Sequence, residues 1–143
     1  MQAAITDVDP FDLPEWLGTG DVVWRADAGL RTGHHVRGRL TAAGDAVDHA
    51  GEPAEIVCDL LAVDEAYPAP VVDDATRLHV HQAWRHGQVV IATMTEGPGT
   101  DRMVLAVPGT GFGPDLVLDA LGRLARAVGA HADRYSALLR LSG

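Results

Sequence analysis

The apolar positions of the chain follow two periods. Across 22–30, Val22, Trp24, Ala26 and Ala28 fall on one side and Val23, Arg25 and Asp27 on the other, the alternation of a half-buried strand. Residues 34–40 alternate more weakly after Arg31-Thr32-Gly33, which predicts a hairpin partner. Glu55–Val63 is a third strand with Ile56, Cys58, Leu60 and Ala62 on one face, so 22–63 reads as a three-strand meander. The period then changes. Over 72–86, Asp73 or Asp74 can cap a helix whose stripe is Ala75 or Thr76, Val80, and Ala83 or Trp84, and Gly87 ends it. Gln88–Thr95 and Met103–Val107 are rich in β-branched residues and form a hairpin over 88–107.

The C-terminal stretch decides the expected architecture. Pro114 suits the first helical position and Asp115 the positive end of a helix dipole. Leu121, Leu124, Val128, His131 or Ala132, Tyr135, Leu138 and Leu139 recur at steps of three and four. The stripe predicts one helix over 114–140, ~40 Å long. A competing reading stops the helix at Gly129 and makes Tyr135–Leu141 a strand, because Tyr135, Ala137, Leu139 and Leu141 also alternate. The continuous helix is preferred, since the stripe crosses Gly129 in phase and a mid-helix glycine costs only about 1 kcal/mol. Residues 1–21, with Phe11, Leu13, Trp16 and Leu17, form a docked segment whose short turn is stopped by Gly18 and Gly20. The expected fold is a single α+β domain, ordered short α-β-β-β-α-β-β-α. Its sheet is five-stranded and antiparallel, with the helices on one face and the long C-terminal helix packed on it.

Composition narrows the chemistry. A chain of 143 residues is long enough for one domain without a disulfide or metal staple. The single cysteine, Cys58, excludes an internal disulfide and reads as a small buried apolar residue. A net charge of −9 argues against nucleic acid and anionic membrane as partners. No charged-then-apolar leader and no apolar run near 18 residues occur, so a cytoplasmic address is expected. All 11 basic side chains are arginine, which removes P-loop lysines, Schiff bases and Ser–Lys pairs. The two serines, Ser136 and Ser142, lie outside any nucleophile-elbow context.

Three local patterns could carry chemistry. The turn Gly109-Thr110-Gly111-Phe112-Gly113 lies between a strand and a helix N-terminus, a place where an anion can bind. A dinucleotide fingerprint would need glycine where Pro114 stands, so a plain strand-to-helix connection is the simpler account. The run from His79 to His86 is the best metal candidate, but on a helix His81 points about 200° away from His79. His34 and His35 alternate across a strand end and cannot share a site. The pairs Asp64-Glu65 and Asp73-Asp74 sit at element boundaries, where capping or solvation accounts for them. No catalytic set, cofactor site or resident metal site emerges, and the chain reads as no enzyme.

The strand-hairpin-strand QVVIATMTEGPGTDRMVLAVPGT and the segment LVLDALGRLARAVGAHADRYSALLRL resemble the YbjN-like and type III secretion chaperone-like domains. The likeness lies in element order over about 22–141 and in the ending Tyr135, Leu138 and Leu139. It implies a non-catalytic chaperone-like or adaptor domain that holds a protein client and forms a homodimer. It also implies a client surface on the open sheet face, with Trp24, Val90, Met94 and Val104 as contributors. Pro10, Pro14, Gly18 and Gly20 leave no room for a full first helix, a departure from that group. The alternative is a small-molecule or metal-binding domain using the His79–His86 run or the Gly109–Gly113 turn.

Overall fold

The structure is a computed structural model that describes residues 4–30, 34–43, 47, 50–64, 72–95 and 101–139. Its strands are β1 (Ala4–Asp7), β2 (Val22–Ala26), β3 (His35–Val36), β4 (Gly38–Ala42), β5 (Glu55–Val63), β6 (Val90–Thr95), β7 (Asp101–Pro108) and β8 (Tyr135–Leu138). Its α-helices are α1 (Trp16–Thr19), α2 (Asp74–Arg85) and α3 (Pro114–Ala127). The strands form one 8-stranded sheet in the order β1-β6-β7-β5-β4-β2-β8, with β3 pairing β5. β3 and β4 hold a common register on β5, His35 opposite Leu61 and Arg39 opposite Val57, so they act as one strand interrupted at Arg37.

The sheet is mixed, not antiparallel. β5 runs parallel to β7, and β2 parallel to β8, while the other pairs are antiparallel. This corrects the five-stranded antiparallel expectation, and the helices correct it again. α2 and α3 lie on opposite faces, each over its own core. One core joins Val22, Trp24, Leu40, Cys58, Leu60 and Leu105 to Val117, Leu121 and Leu124 of α3. The other joins Leu61, Val63, Val90, Met94 and Val104 to Val80 of α2. β5 serves both, because a continuous apolar run Leu60–Val63 presents side chains to both faces.

The N-terminal segment contributes an edge strand. β1 pairs β6 antiparallel, Thr6 opposite Thr93, and Val8 N–H continues the ladder to the Ile91 carbonyl at 2.8 Å. The long helix over 114–140 is replaced by α3, a 3-10 turn at Ala132–Arg134 and β8. The stop is local. Gly129 adopts φ +82°, Ala130 N–H donates to the Ala125 carbonyl at 2.8 Å, and Gly129 N–H to that of Arg126 at 3.2 Å. Those two bonds are a Schellman motif, which satisfies the last carbonyls and turns the chain away. Gly87 ends α2 the same way, with φ +80° and Gln88 N–H on the Ala83 carbonyl at 2.9 Å.

Gly129 therefore gives a test by sign. Gly129→Ala should destabilise by about 1 kcal/mol, because an L-residue resists the left-handed region. In a continuous helix the same change would stabilise by about that amount. A urea midpoint that rises on this substitution would contradict the terminated helix.

Candidate functional site

α2 packs on β6 and β7, so it covers only one half of its sheet face. Beyond it, β5, β4, β2 and β8 present the opposite set of alternating side chains from the core. Val57 and Leu138 are exposed, and so is Arg25. Arg39 lies opposite Arg25 across the β2–β4 pair and bonds Asp27 at 3.1 Å and Glu55 at 3.5 Å. Arg102, toward the α2 side of the same face, is bonded to Asp59. Basic and acidic side chains are thus mixed on this face, with Arg25 exposed beside the pairs.

Where the covered half meets the open half, a carboxylate is buried. Asp59 has 0% exposure. Its register partner on β7 is Val104, so Arg102 is a diagonal neighbour, and His35 on β3 is the diagonal neighbour on the other side. Arg102 grips the carboxylate with both branches, Nε to Oδ2 at 2.7 Å and Nη2 to Oδ1 at 2.9 Å. His35 Nε2 lies 2.9 Å from Oδ2, and Gly38 N–H donates to Oδ1 at 3.3 Å. Burial pushes the Asp59 pKa up. The hydrogen bonds from His35, Arg102 and Gly38, with the guanidinium charge, outweigh it and hold the group below the usual carboxylate range. This network was not picked out from the sequence. The available signal was an aspartate in the middle of the apolar run IVCDLLAV.

Cys58, next to it, faces the opposite core. Burial first, and the Asp59 charge second, raise its thiol pKa, so it stays protonated and is a packing residue rather than a nucleophile. Its carbonyl accepts the Trp24 indole N–H at 2.7 Å. Tyr135 O–H donates to the Leu17 carbonyl, which ties β8 to α1.

The four residues expected on an open face are in the cores. Trp24 (0% exposed) lies under α3, whereas Val90, Met94 and Val104 (5%, 1% and 0%) lie in the core beneath α2. They are on opposite faces and form no common surface. The histidines of α2 diverge as well. His79 Nε2 pairs with Asp7 at 3.0 Å, His81 Nε2 meets the Val63 carbonyl at 2.9 Å, and His86 Nδ1 meets the Gln82 carbonyl at 2.8 Å. Among the described residues no group of three or more His, Cys, Asp or Glu side chains could hold a metal ion. Asp73 caps α2 through Thr76 N–H at 2.8 Å, and Asp74 pairs with Arg77 at 3.3 Å. Glu65 lies outside the described residues, and Asp64 is partly buried at the end of β5. In the glycine turn, Gly109 takes φ +150° and donates to the Val63 carbonyl at 2.9 Å, and Gly113 precedes α3. The turn connects a strand to a helix. Among the described residues, no helix is long and apolar enough to cross a membrane.

A second feature occupies the opposite edge of the sheet. A cleft of about 490 Å³ opens where β1 and the turn after it meet α2, the start of β6 and the last turn of α3. Asp7, His79 and Gln88 contribute polar groups and Val89, Ile91 and Ala127 apolar wall, with Arg123 and Arg126 at the α3 side. Arg123 is held in place by α2. Its Nη1 donates to the Trp84 carbonyl at 2.7 Å and the Gln88 carbonyl at 3.1 Å, while its guanidinium stacks 3.4 Å above the Trp84 ring. It thereby caps the negative end of α2 and links the two helices around the sheet edge. Compared with protein-family models, curated proteins and solved structures, the chain matches none of them.

Proposed function

We propose that the chain is a non-catalytic binding module, chaperone-like or adaptor-like, whose uncovered half-sheet holds an extended acidic segment of a partner protein. One observation carries this reading. Half of a sheet face lies outside the reach of α2 and combines exposed apolar side chains, Val57 and Leu138, with exposed Arg25 and half-exposed Arg39. An extended segment alternates its side chains at the strand period, so apolar and acidic residues can address the two kinds of position in turn. The charge favours such a partner over a second copy docked through this face. A two-fold contact sets one patch on its own copy, so Arg25, Arg39, Asp27 and Glu55 would meet the same mixture, with no surplus of acid to offer the arginines.

The test is the anisotropy of a labelled peptide that alternates glutamate and valine. Binding should weaken about tenfold on Arg25→Glu, as for loss and reversal of one charge contact. It should also weaken on Val57→Ser, which removes apolar contact without touching charge. The solution mass, measured alongside, should be that of the 15.1 kDa monomer. Peptide binding that ignores both substitutions would overturn the reading. So would a stable dimer that Arg25→Glu dissociates, since that result assigns the face to self-association.

A further inference from the structure

We infer that the cleft between β1, α2 and the end of α3 is a binding site for a small amphiphilic oxyanion, a carboxylate or phosphate carried on an apolar body. The cleft lies at the β1 edge of the sheet, whereas the open half lies toward β8. The inference is therefore independent of the partner surface. Its volume, about 490 Å³, falls within the range of small-molecule sites.

The charge in the lining is opposite in sign to that of the chain. Two guanidiniums, Arg123 and Arg126, face one carboxylate, Asp7, in a protein of net charge −9. Asp7 is bonded to His79 at 3.0 Å, which occupies one face of its carboxylate, and the two arginines outnumber it. Arg123 is pre-organised. Its Nη1 and Nε are spent on the Trp84 and Gln88 carbonyls and on Asp119 at 3.4 Å. Among the described residues Nη2 has no such bond, and the stack on Trp84 fixes the plane in which it projects. Arg126 is exposed, and no ion pair engages it among the described residues. Arg123 offers an oxyanion a guanidinium already fixed in place, and Arg126, on the same turn of α3, adds positive charge to the lining. Val89, Ile91 and Ala127 supply wall for an apolar body, which separates this site from a bare surface patch that would take inorganic ions equally well.

The experiment is isothermal titration of the full chain with phenyl phosphate, octanoate and inorganic phosphate. The expected result is that at least one of the two amphiphiles binds, at least about tenfold more tightly than inorganic phosphate. Arg126→Gln should weaken that binding by about tenfold, the worth of a charge-assisted contact. Ala127→Phe fills the wall from an exposed position at the end of α3, so the fold should survive and binding should be lost. Arg25→Gln, on the far half of the sheet, should leave the affinity unchanged. Binding of octanoate alone would support the site with carboxylate as the head group, and of phenyl phosphate alone with phosphate. No binding of either amphiphile at millimolar concentration would overturn the inference. Affinity unchanged in both Arg126→Gln and Ala127→Phe, or inorganic phosphate binding as tightly as the amphiphiles, would overturn it too.

Discussion

Asp59→Ala is expected to lower the unfolding free energy by about 3 kcal/mol, the lower part of the range for breaking a buried ion pair. The loss is not that of one contact. Without the carboxylate, Arg102 and His35 both lose the group they bind in common, and Gly38 N–H loses its acceptor. The effect falls at the low end because the side chains of His35 and Arg102 keep 24% and 20% exposure, enough for water to reach them. Asp59→Asn should fall between Asp59→Ala and the wild type, since an amide oxygen can still accept from Gly38 or Arg102. A urea midpoint for Asp59→Ala close to that of the wild type would remove the network from the account of stability. Replacing all three partners with His35→Leu, Asp59→Leu and Arg102→Met should recover most of the loss, because such a triad is often no more stable than well-packed apolar residues.

The same carboxylate predicts the acid response. Its pKa is depressed in the folded chain, so its contribution is fully present above the unfolded value, about 3.9. The contribution is lost as pH falls from there through the folded value. As pH falls below about 4, the unfolded value, the wild type should lose stability more steeply than Asp59→Asn. Equal slopes would mean that Asp59 carries no depressed pKa.

Gly38→Ala is the second large effect, expected to cost about 3 kcal/mol or more by overpacking. A Cβ at this position would sit 2.4 Å from Trp24 Cζ2, 2.5 Å from Cε2 and 2.7 Å from Nε1. The obstacle is a buried ring rather than the free end of a flexible side chain. The indole N–H is bonded to the Cys58 carbonyl, so the ring cannot turn away without losing that bond. Gly38 is opposite Ala26 in the β2–β4 register, and its own N–H holds Asp59. One residue thus serves the Trp24 core on one face and the buried ion pair on the other. Trp24→Phe removes the ring atoms in conflict, so the double variant should be less destabilised than the two single losses added together. Simple additivity would show that the clash is relieved some other way.

The polar network also sets the functional layout. It joins β3, β5 and β7 where the apolar bed of α2 ends and the arginine-bearing half of the sheet begins. Loss of Asp59 should therefore be read first as a stability change, and peptide binding should be measured only where the variant is folded. Arg25 and Val57 lie outside the network and are the cleaner probes of the surface.

Much of the local structure was legible in the residues. A cap at Asp73 or Asp74, of which Asp73 is the one used, Gly87 as the end of α2 and Pro114 at the start of α3 are all read from a few neighbouring positions. The nine-residue strand at Glu55–Val63 has an apolar pattern that no other element explains. Gly129 was legible too, but it was outweighed. Tyr135, Leu138 and Leu139 fit a helical stripe and a strand alternation equally, and only the capping bonds decide between them. A period read over few residues is ambiguous, whereas a left-handed glycine with two satisfied carbonyls is not.

The sequence by itself determined the caps, the breaks and most strand segments, because those depend on hydrogen bonds and side-chain periods within about one or two turns of chain. Only the tertiary structure decided which strands became neighbours, which face each helix took and what Asp59 was buried against. Its partners lie 24 and 43 residues away, and the cleft gathers Asp7 and Ala127 from near opposite ends of the chain. Alternation shows that a strand has two faces, but it does not say what will cover them. That choice is made by packing, where two helices compete for a sheet that presents apolar side chains on both sides.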